Sequence, residues 1–135
     1  MEFRILGAFE VSHEGHPLPL AGAKPKAVLA ILLLHANEIV SSDRLADELW
    51  SHPPLKARAT LQVYVAQLRT LFDPGRSRGE QGRMLLTRSP GYLLQIAPDQ
   101  LDSQRFERLL GEGSAARAVG DAPTAAVLLR EALSL

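Results

Sequence analysis

The rhythm of apolar and polar positions changes several times along this chain, and each change marks an element. Phe3-Arg4-Ile5-Leu6-Gly7 reads as a short strand, and Phe9-Glu10-Val11 alternates as a half-buried strand does. His13-Glu14-Gly15-His16 forms a turn. Pro17-Leu18-Pro19-Leu20 is at best an edge strand, because proline has no N–H for a ladder. A small antiparallel N-terminal sheet is expected. The Ala/Leu-rich segment from Ala23 to Ala36 has no period that separates strand from buried helix. Its length and alanine content favour helix, and Asn37 supplies a C-terminal stop. Ser41-Ser42-Asp43 starts the next helix with a hydroxyl cap and an acid in the first turn, where the helix dipole favours it. Leu45, Leu49 and Trp50 mark its buried side, and Pro53-Pro54 prevents its continuation.

A second helix follows that break within a few residues. From Lys56 to Phe72, Leu61, Val65, Leu68 and Phe72 fall on one stripe, whereas Thr60, Val63 and Gln67 lie off it. Val63 points almost straight outward. Lys56, Arg58 and Arg69 are basic, and the stretch contains no acid. Alone, it fits an ordinary amphipathic helix with a polar solvent face. Two helices joined by a tight break, the second basic and acid-free, are also the layout of a helix-turn-helix. Asp73 to Arg83 is rich in Gly and Arg and reads as a loop. Met84-Leu85-Leu86-Thr87, then Arg88-Ser89-Pro90-Gly91, then Tyr92-Leu93-Leu94-Gln95-Ile96 read as strand, turn and strand, with Arg88 at the tip. A hairpin in this position is a wing, and an Arg at its tip suits the negative potential of a minor groove. The plainer alternative is an exposed Arg on an ordinary hairpin.

Ala97-Pro98-Asp99 marks a boundary, and Asp102-Ser103 is expected to cap a helix with Phe106, Leu109 and Leu110 on its apolar face. Gly120-Asp121 breaks it, and Ala122 to Leu135 forms a second helix. This pair has the shape of a single tetratricopeptide-type repeat, a unit that needs neighbours to bury its faces. The chain thus reads as α+β: a winged helix-turn-helix over residues 1–97, with an N-terminal antiparallel sheet and a C-terminal wing hairpin. A helical hairpin over 98–135 follows, as the first part of a larger helical domain.

Composition narrows the function. With 135 residues and 46% hydrophobic content the chain is globular. It has no cysteine, which excludes disulfides and thiolate chemistry and is compatible with a reducing cytoplasm. The longest apolar run, Ala27 to Leu34, is shorter than the ~20 residues of a membrane span. Net charge is zero, yet residues 53–92 carry seven bases against two acids, and residues 99–135 carry four bases against six. A basic middle and an acidic tail suggest two surfaces with different partners.

Enzymatic and metal chemistry find little support. His13 and His16 have an HxxH spacing, but in a turn and without a third ligand. Gly111-Glu112-Gly113-Ser114-Ala115-Ala116 matches G-x-G-x-x-A, but it sits inside a helical pattern and follows no strand. No phosphate loop, HExxH or GxSxG is present. No cofactor, metal or small-molecule site is indicated.

Five blocks in order, AKPKAVLAILLLHANEIVSSDRLADELW, ARATLQVYVAQLR, LLTRSPGYLL, RFERLL and GDAPTAAVLLREAL, resemble the Streptomyces antibiotic regulatory protein (SARP) family. These are transcriptional activators with an OmpR-type winged helix-turn-helix followed by a bacterial transcriptional activation domain. The resemblance implies that Lys56–Phe72 is the recognition helix. It implies that Thr60, Val63 and Gln67 face bases in the major groove and that Arg88 enters the minor groove. Val63 would meet a thymine methyl and Gln67 an adenine. Lys24, Lys26, Arg44, Lys56, Arg58, Tyr64 and Arg69 would contact phosphate or sugar; for Tyr64 and Arg69 a packing or surface role fits equally well. The sequence departs from the family pattern at four places. Ala66-Gln67 stands where Ser-Arg is frequent, Ala59 where Asn is usual, and Lys56 where Ser is common. Arg44 replaces the common Glu, so a capping box with Ser41 is lost.

The resemblance further implies promoter direct repeats as the target, a second protomer beside the first on DNA, and recruitment of RNA polymerase. It implies control of a secondary-metabolite cluster and a cytoplasmic, nucleoid-associated location. No receiver domain precedes the winged helix, so phospho-relay control within the chain is not expected. The alternative is a protein-interaction module in which the winged helix is a docking scaffold without direct DNA reading.

Overall fold

The computed structural model describes residues 1–20, 22–75, 77 and 82–135. Of the loop predicted over Asp73–Arg83, residues Arg76, Arg78, Gly79, Glu80 and Gln81 lie outside the described residues, as does Ala21. The chain forms two compact units, one from Met1–Pro17 with Ala97–Leu135 and the other from Leu18–Ile96.

In the first unit, β1 (Glu2–Arg4), β2 (Glu10–His13) and β3 (His16–Pro17) form an antiparallel sheet in that order. Phe3 opposes Val11, and both are 1% exposed, as alternation demands of the inward side of a strand pair. The β2–β3 turn places Glu14 and Gly15 at φ 50° and 78°, the left-handed pair that a two-residue hairpin loop requires. A short 3-10 turn at Pro98–Gln100 leads into α4 (Asp102–Ala118) and α5 (Ala122–Leu133).

Chain order suggests grouping the N-terminal strands with the winged helix, but their bonds run to the start of the helical pair. Phe3 forms a parallel bridge with Leu101, and Met1 O accepts from Gln100 Nε2 at 3.1 Å. Asp102, expected as a cap, is instead the first residue of α4. Its buried carboxylate accepts the backbone N–H groups of Ile5 and Leu6 at 2.9 and 3.1 Å. Leu109 is buried as expected, whereas Leu110 is 37% exposed. The G-x-G-x-x-A string lies inside α4. A Cβ on its Gly113 would stand 3.1 Å from Leu129, so this glycine serves helix contact with α5. Asp121 caps α5 by accepting from Thr124 N at 3.2 Å.

The second unit is a winged helix. It runs α1 (Ala23–Leu34), β4 (Ile39–Ser41), α2 (Ser42–Leu49), α3 (Ala57–Phe72), β5 (Leu85–Arg88) and β6 (Gly91–Leu94). Its sheet has the order β4-β6-β5, all antiparallel. Val28, Leu29, Leu32, Leu45, Leu61, Val65, Leu68, Leu85 and Leu94 are at most 1% exposed and form the core. Each contributes about 1.5–3 kcal/mol by leaving water.

Strand β4 is not evident in the sequence, and the residue before it explains how it forms. Asn37 sits at φ 64°, donates its N–H to Leu94 O at 2.8 Å and accepts from Ile96 N on Oδ1 at 2.9 Å. It does more than stop α1, because it turns the chain into register with β6. Ser41 then caps α2, its hydroxyl accepting Arg44 N at 3.1 Å.

Candidate nucleic-acid interface

Helix α3 carries the candidate surface. Ala57, Leu61, Val65 and Leu68 turn inward along the predicted stripe, while Phe72, expected there too, is half-buried. Arg58, Ala59, Gln62, Val63, Ala66, Gln67 and Thr70 are exposed. Val63, a β-branched apolar residue, leaves 54% of its surface in solvent. Lys56 provides no side-chain cap, and no acid lies in the first turn. The positive end of α3 is therefore not neutralised by its own sequence.

The predicted base-facing residues divide. Val63 and Gln67 are exposed. Thr60 is half-buried, and its hydroxyl donates back to Lys56 O at 3.1 Å, so its proton is used within the helix. Arg88 is the last residue of β5, one rung short of the turn, and pairs with Gly91. It is exposed and donates from Nη1 to Thr87 O at 2.9 Å.

The predicted phosphate contacts divide further. Lys26 and Lys56 are exposed. Arg58 pairs with Asp43 at 3.4 Å, with 76% and 80% of the two side chains in solvent, so the pair is weak. Arg44 bonds Glu48 at 3.1 Å and meets His35 Nε2 at 3.0 Å. Lys24 is half-buried; its ammonium donates to Leu49 O and lies 5.5 Å from the centre of the Trp50 ring. Trp50 in turn stacks on Tyr64, with centroids 6.3 Å apart and planes at 28°. Lys24 and Tyr64 thus belong to a stack joining α1, the end of α2 and α3. Arg69 turns its guanidinium onto the wing, donating to Leu85 O and to Thr87 Oγ1, both at 2.9 Å.

The helix and the wing enclose a groove of about 320 Å³, lined by Ser42, Arg58, Gln62 and the wing residues Thr87, Ser89, Gly91 and Tyr92. Ser42, Gln62 and Ser89 do not figure among the predicted contacts. A signal for Gln62 is present in the sequence, since it lies four residues after Arg58 and so on the same side of the helix. The wing turn can come this close because residue 91 is glycine. A Cβ there would fall within 2.7 Å of Ser41 Cα, on the neighbouring β4. Behind the turn Tyr92 is 7% exposed, and burial raises its phenol above the ordinary 10.0 while Arg69 opposes the shift.

The family described as "Transcriptional regulatory protein, C terminal" matches residues 15–94, which include every element of this helix-turn-helix and wing. The chain belongs to this family. Its relatives place it among SARP-type regulators with an OmpR-type winged helix-turn-helix, a group of transcriptional regulators and not of enzymes. It is 35% identical over 139 residues to the regulatory protein DnrI of Streptomyces peucetius. That alignment covers 100% of this chain and 51% of DnrI, so the chain spans about half that relative's length. The solved structure of Mycobacterium tuberculosis EmbR in complex with a low-affinity phosphopeptide superposes with a TM-score of 0.90 at 35% identity. It covers 98% of this chain and 35% of EmbR. The DNA-binding domain of Escherichia coli CadC shares the fold, with a TM-score of 0.52 at 21% identity over 65% of this chain and 79% of that domain. Among the described residues, no helix is long and apolar enough to cross a membrane.

Proposed function

We propose that this chain is a sequence-specific, double-stranded-DNA-binding transcriptional activator. Helix α3 enters the major groove and the β5–β6 wing lies along the adjacent minor groove. The observation that carries this reading is the acid-free outer face of α3 beside a wing that ends in an exposed Arg88. Val63 and Gln67 face bases, and Arg88 reaches the minor groove. Lys26, Lys56 and Arg58 hold phosphates, which fixes register without reading sequence. Membership in the SARP group supports the finer reading. The targets are direct repeats in promoters of a secondary-metabolite cluster, bound by two protomers side by side. The helical pair α4–α5 begins the domain that contributes to recruiting RNA polymerase, and the site of action is the cytoplasmic nucleoid.

Footprinting over promoters near the chain's own gene, at two salt concentrations, tests this. Protection of spaced repeats, weakening steeply with salt as counterions are released, is the expected result. Equal affinity for any duplex, or no binding at low salt, would refute it.

A further inference from the structure

Resting on the DNA-reading role just proposed, we infer that α3 selects A·T base pairs at the centre of its site, with Gln62 acting as a second amide reader beside Gln67. The argument starts from what the outer face of α3 contains. Its middle strip is Ala59, Val63 and Ala66, all exposed and all small or apolar. One amide flanks the strip on each side. Gln62 lines the groove toward the wing, with Ser42, Arg58, Thr87 and Ser89. Gln67 lines a different groove, with Leu18, Pro19, Leu20 and Leu71. Among the described residues neither amide is engaged in a hydrogen bond, so both are available to a ligand.

The cations of α3 lie off the apolar strip. Arg69 spends its Nε and one Nη on Leu85 and Thr87 of the wing strand. Arg58, one turn before Gln62 in the wing-side groove, pairs with Asp43 near the helix start, and Lys56 precedes the first turn. The middle of the face therefore presents no guanidinium or ammonium fork.

Base chemistry then selects among the four pairs. In the major groove guanine shows two acceptors, N7 and O6, and calls for two donors, which Arg or Lys supplies. Adenine shows one acceptor and one donor, N7 and N6–H, which a single amide matches with its own donor and acceptor. Thymine adds a methyl group, for which Ala and Val are the fitting contacts. Amide flanks and an apolar strip thus point to the same base pair. The two amides lie five positions apart, a rise of about 7.5 Å along the helix. At about 3.4 Å per base, their targets lie roughly two base pairs apart.

The test is selection of bound duplexes from a fully random DNA library by the full 135-residue chain, repeated with Gln62→Ala and Gln67→Ala. Both substitutions place a strong helix former on an exposed helical position, so the fold is retained; helical circular dichroism and low-salt affinity for random duplex verify this. The wild type is expected to enrich A·T at two positions about two base pairs apart. Gln62→Ala should relax one of them roughly ten- to hundredfold and leave the other, and Gln67→Ala should do the reverse. Enrichment of G·C under the helix would overturn the inference while leaving DNA reading intact. So would a uniform loss for Gln62→Ala, which would make that side chain a phosphate contact in the wing-side groove. A wild type that enriches no sequence would overturn the DNA-reading role and this inference with it, and that outcome is distinct from the other two.

Discussion

Arg69 on α3 donates to the hydroxyl of Thr87 on β5 at 2.9 Å while its Nε–H holds the carbonyl of Leu85 at the same distance. The two branches of one rigid guanidinium fix the strand that carries Arg88 against the helix that carries Val63 and Gln67. Leu85 is 1% exposed, so its carbonyl has little access to water as a replacement donor. Arg69→Ala should therefore lower the stability of the DNA-free protein by about 1.5–3 kcal/mol, the range for hydrogen bonds to a charged group. Arg69→Lys should not restore it, since an ammonium lacks the planar fork. Thermal melting without DNA is the check. An unchanged melting temperature would return Arg69 to the role of a phosphate contact.

Arg88 should behave in the opposite way. It is exposed, and its Nη1 donates to the carbonyl of its own neighbour, Thr87. Arg88→Ala should leave the melting temperature within experimental error while costing about 1–3 kcal/mol of specific DNA binding. The pair of measurements separates a reader from a brace. A loss of stability equal to the loss of binding would show that Arg88 supports the hairpin and does not enter a groove.

Gly91 is required by space. A side chain there would meet the Val40 carbonyl and stand 2.7 Å from Ser41 Cα, both in the β4 backbone. Backbone cannot swing aside as a side-chain end can, so Gly91→Ala must displace either β4 or the turn. The expected cost is about 1–3 kcal/mol from overpacking, together with loss of the groove beside Gln62. Urea titration gives the first quantity. Hydrogen exchange at Leu93 and Leu94 locates the damage, and wild-type protection there would refute the account.

How much of this was legible beforehand depended on how local each signal was. The Pro53-Pro54 break, the Ser41 cap and the Leu61–Val65–Leu68 stripe are local, and the structure bears them out. The wing followed from Ser89-Pro90-Gly91 between apolar runs. Strand β4 did not, because Ile39-Val40-Ser41 becomes a strand only when β6 lies beside it. Lys24 read as a phosphate contact, and Arg69 as a phosphate contact or a packing residue, because their partners, Leu49 O with the Trp50 ring and Leu85 O with Thr87, lie at least 16 residues away in sequence. Gln62 was passed over for a related reason: the wing that makes its side of the helix a groove is remote in sequence. Asp102 is the same case, a cap by local rules and a clamp by tertiary ones.

That clamp is testable. The Asp102 carboxylate, 5% exposed, accepts from Ile5 N and Leu6 N and stands in the first turn of α4, where the helix dipole favours a negative charge. Asp102→Ala would leave two backbone N–H groups without their acceptor and should cost roughly 2–4 kcal/mol. Asp102→Asn keeps one acceptor oxygen and should cost clearly less. Exchange rates at Ile5 and Leu6 should rise more in Asp102→Ala than in Asp102→Asn. Equal rates in both variants would mean that the N-terminal strands are held by Phe3 and Leu101 alone.

Tyr92 supplies a dependence on pH whose sign follows from its burial. Burial raises the phenol above 10.0 in the folded chain, with Arg69 opposing. As pH climbs past about 10, the unfolded chain begins to release its phenolic proton while the folded chain retains it. The unfolded state is then favoured, so the stability contribution is complete below that pH and is lost as pH rises through the folded value. Tyr92→Phe cannot ionise and should flatten this alkaline fall relative to wild type. Arg69→Ala removes the opposing charge, raises the phenol further and should steepen the fall. Urea unfolding from pH 7 to 11, followed by the fluorescence of Trp50, the chain's single tryptophan, compares the three proteins. Lysines titrating in the same range affect all three alike, so the differences between them isolate Tyr92. Parallel curves for wild type and Tyr92→Phe would exclude the phenol as the source of the alkaline limb.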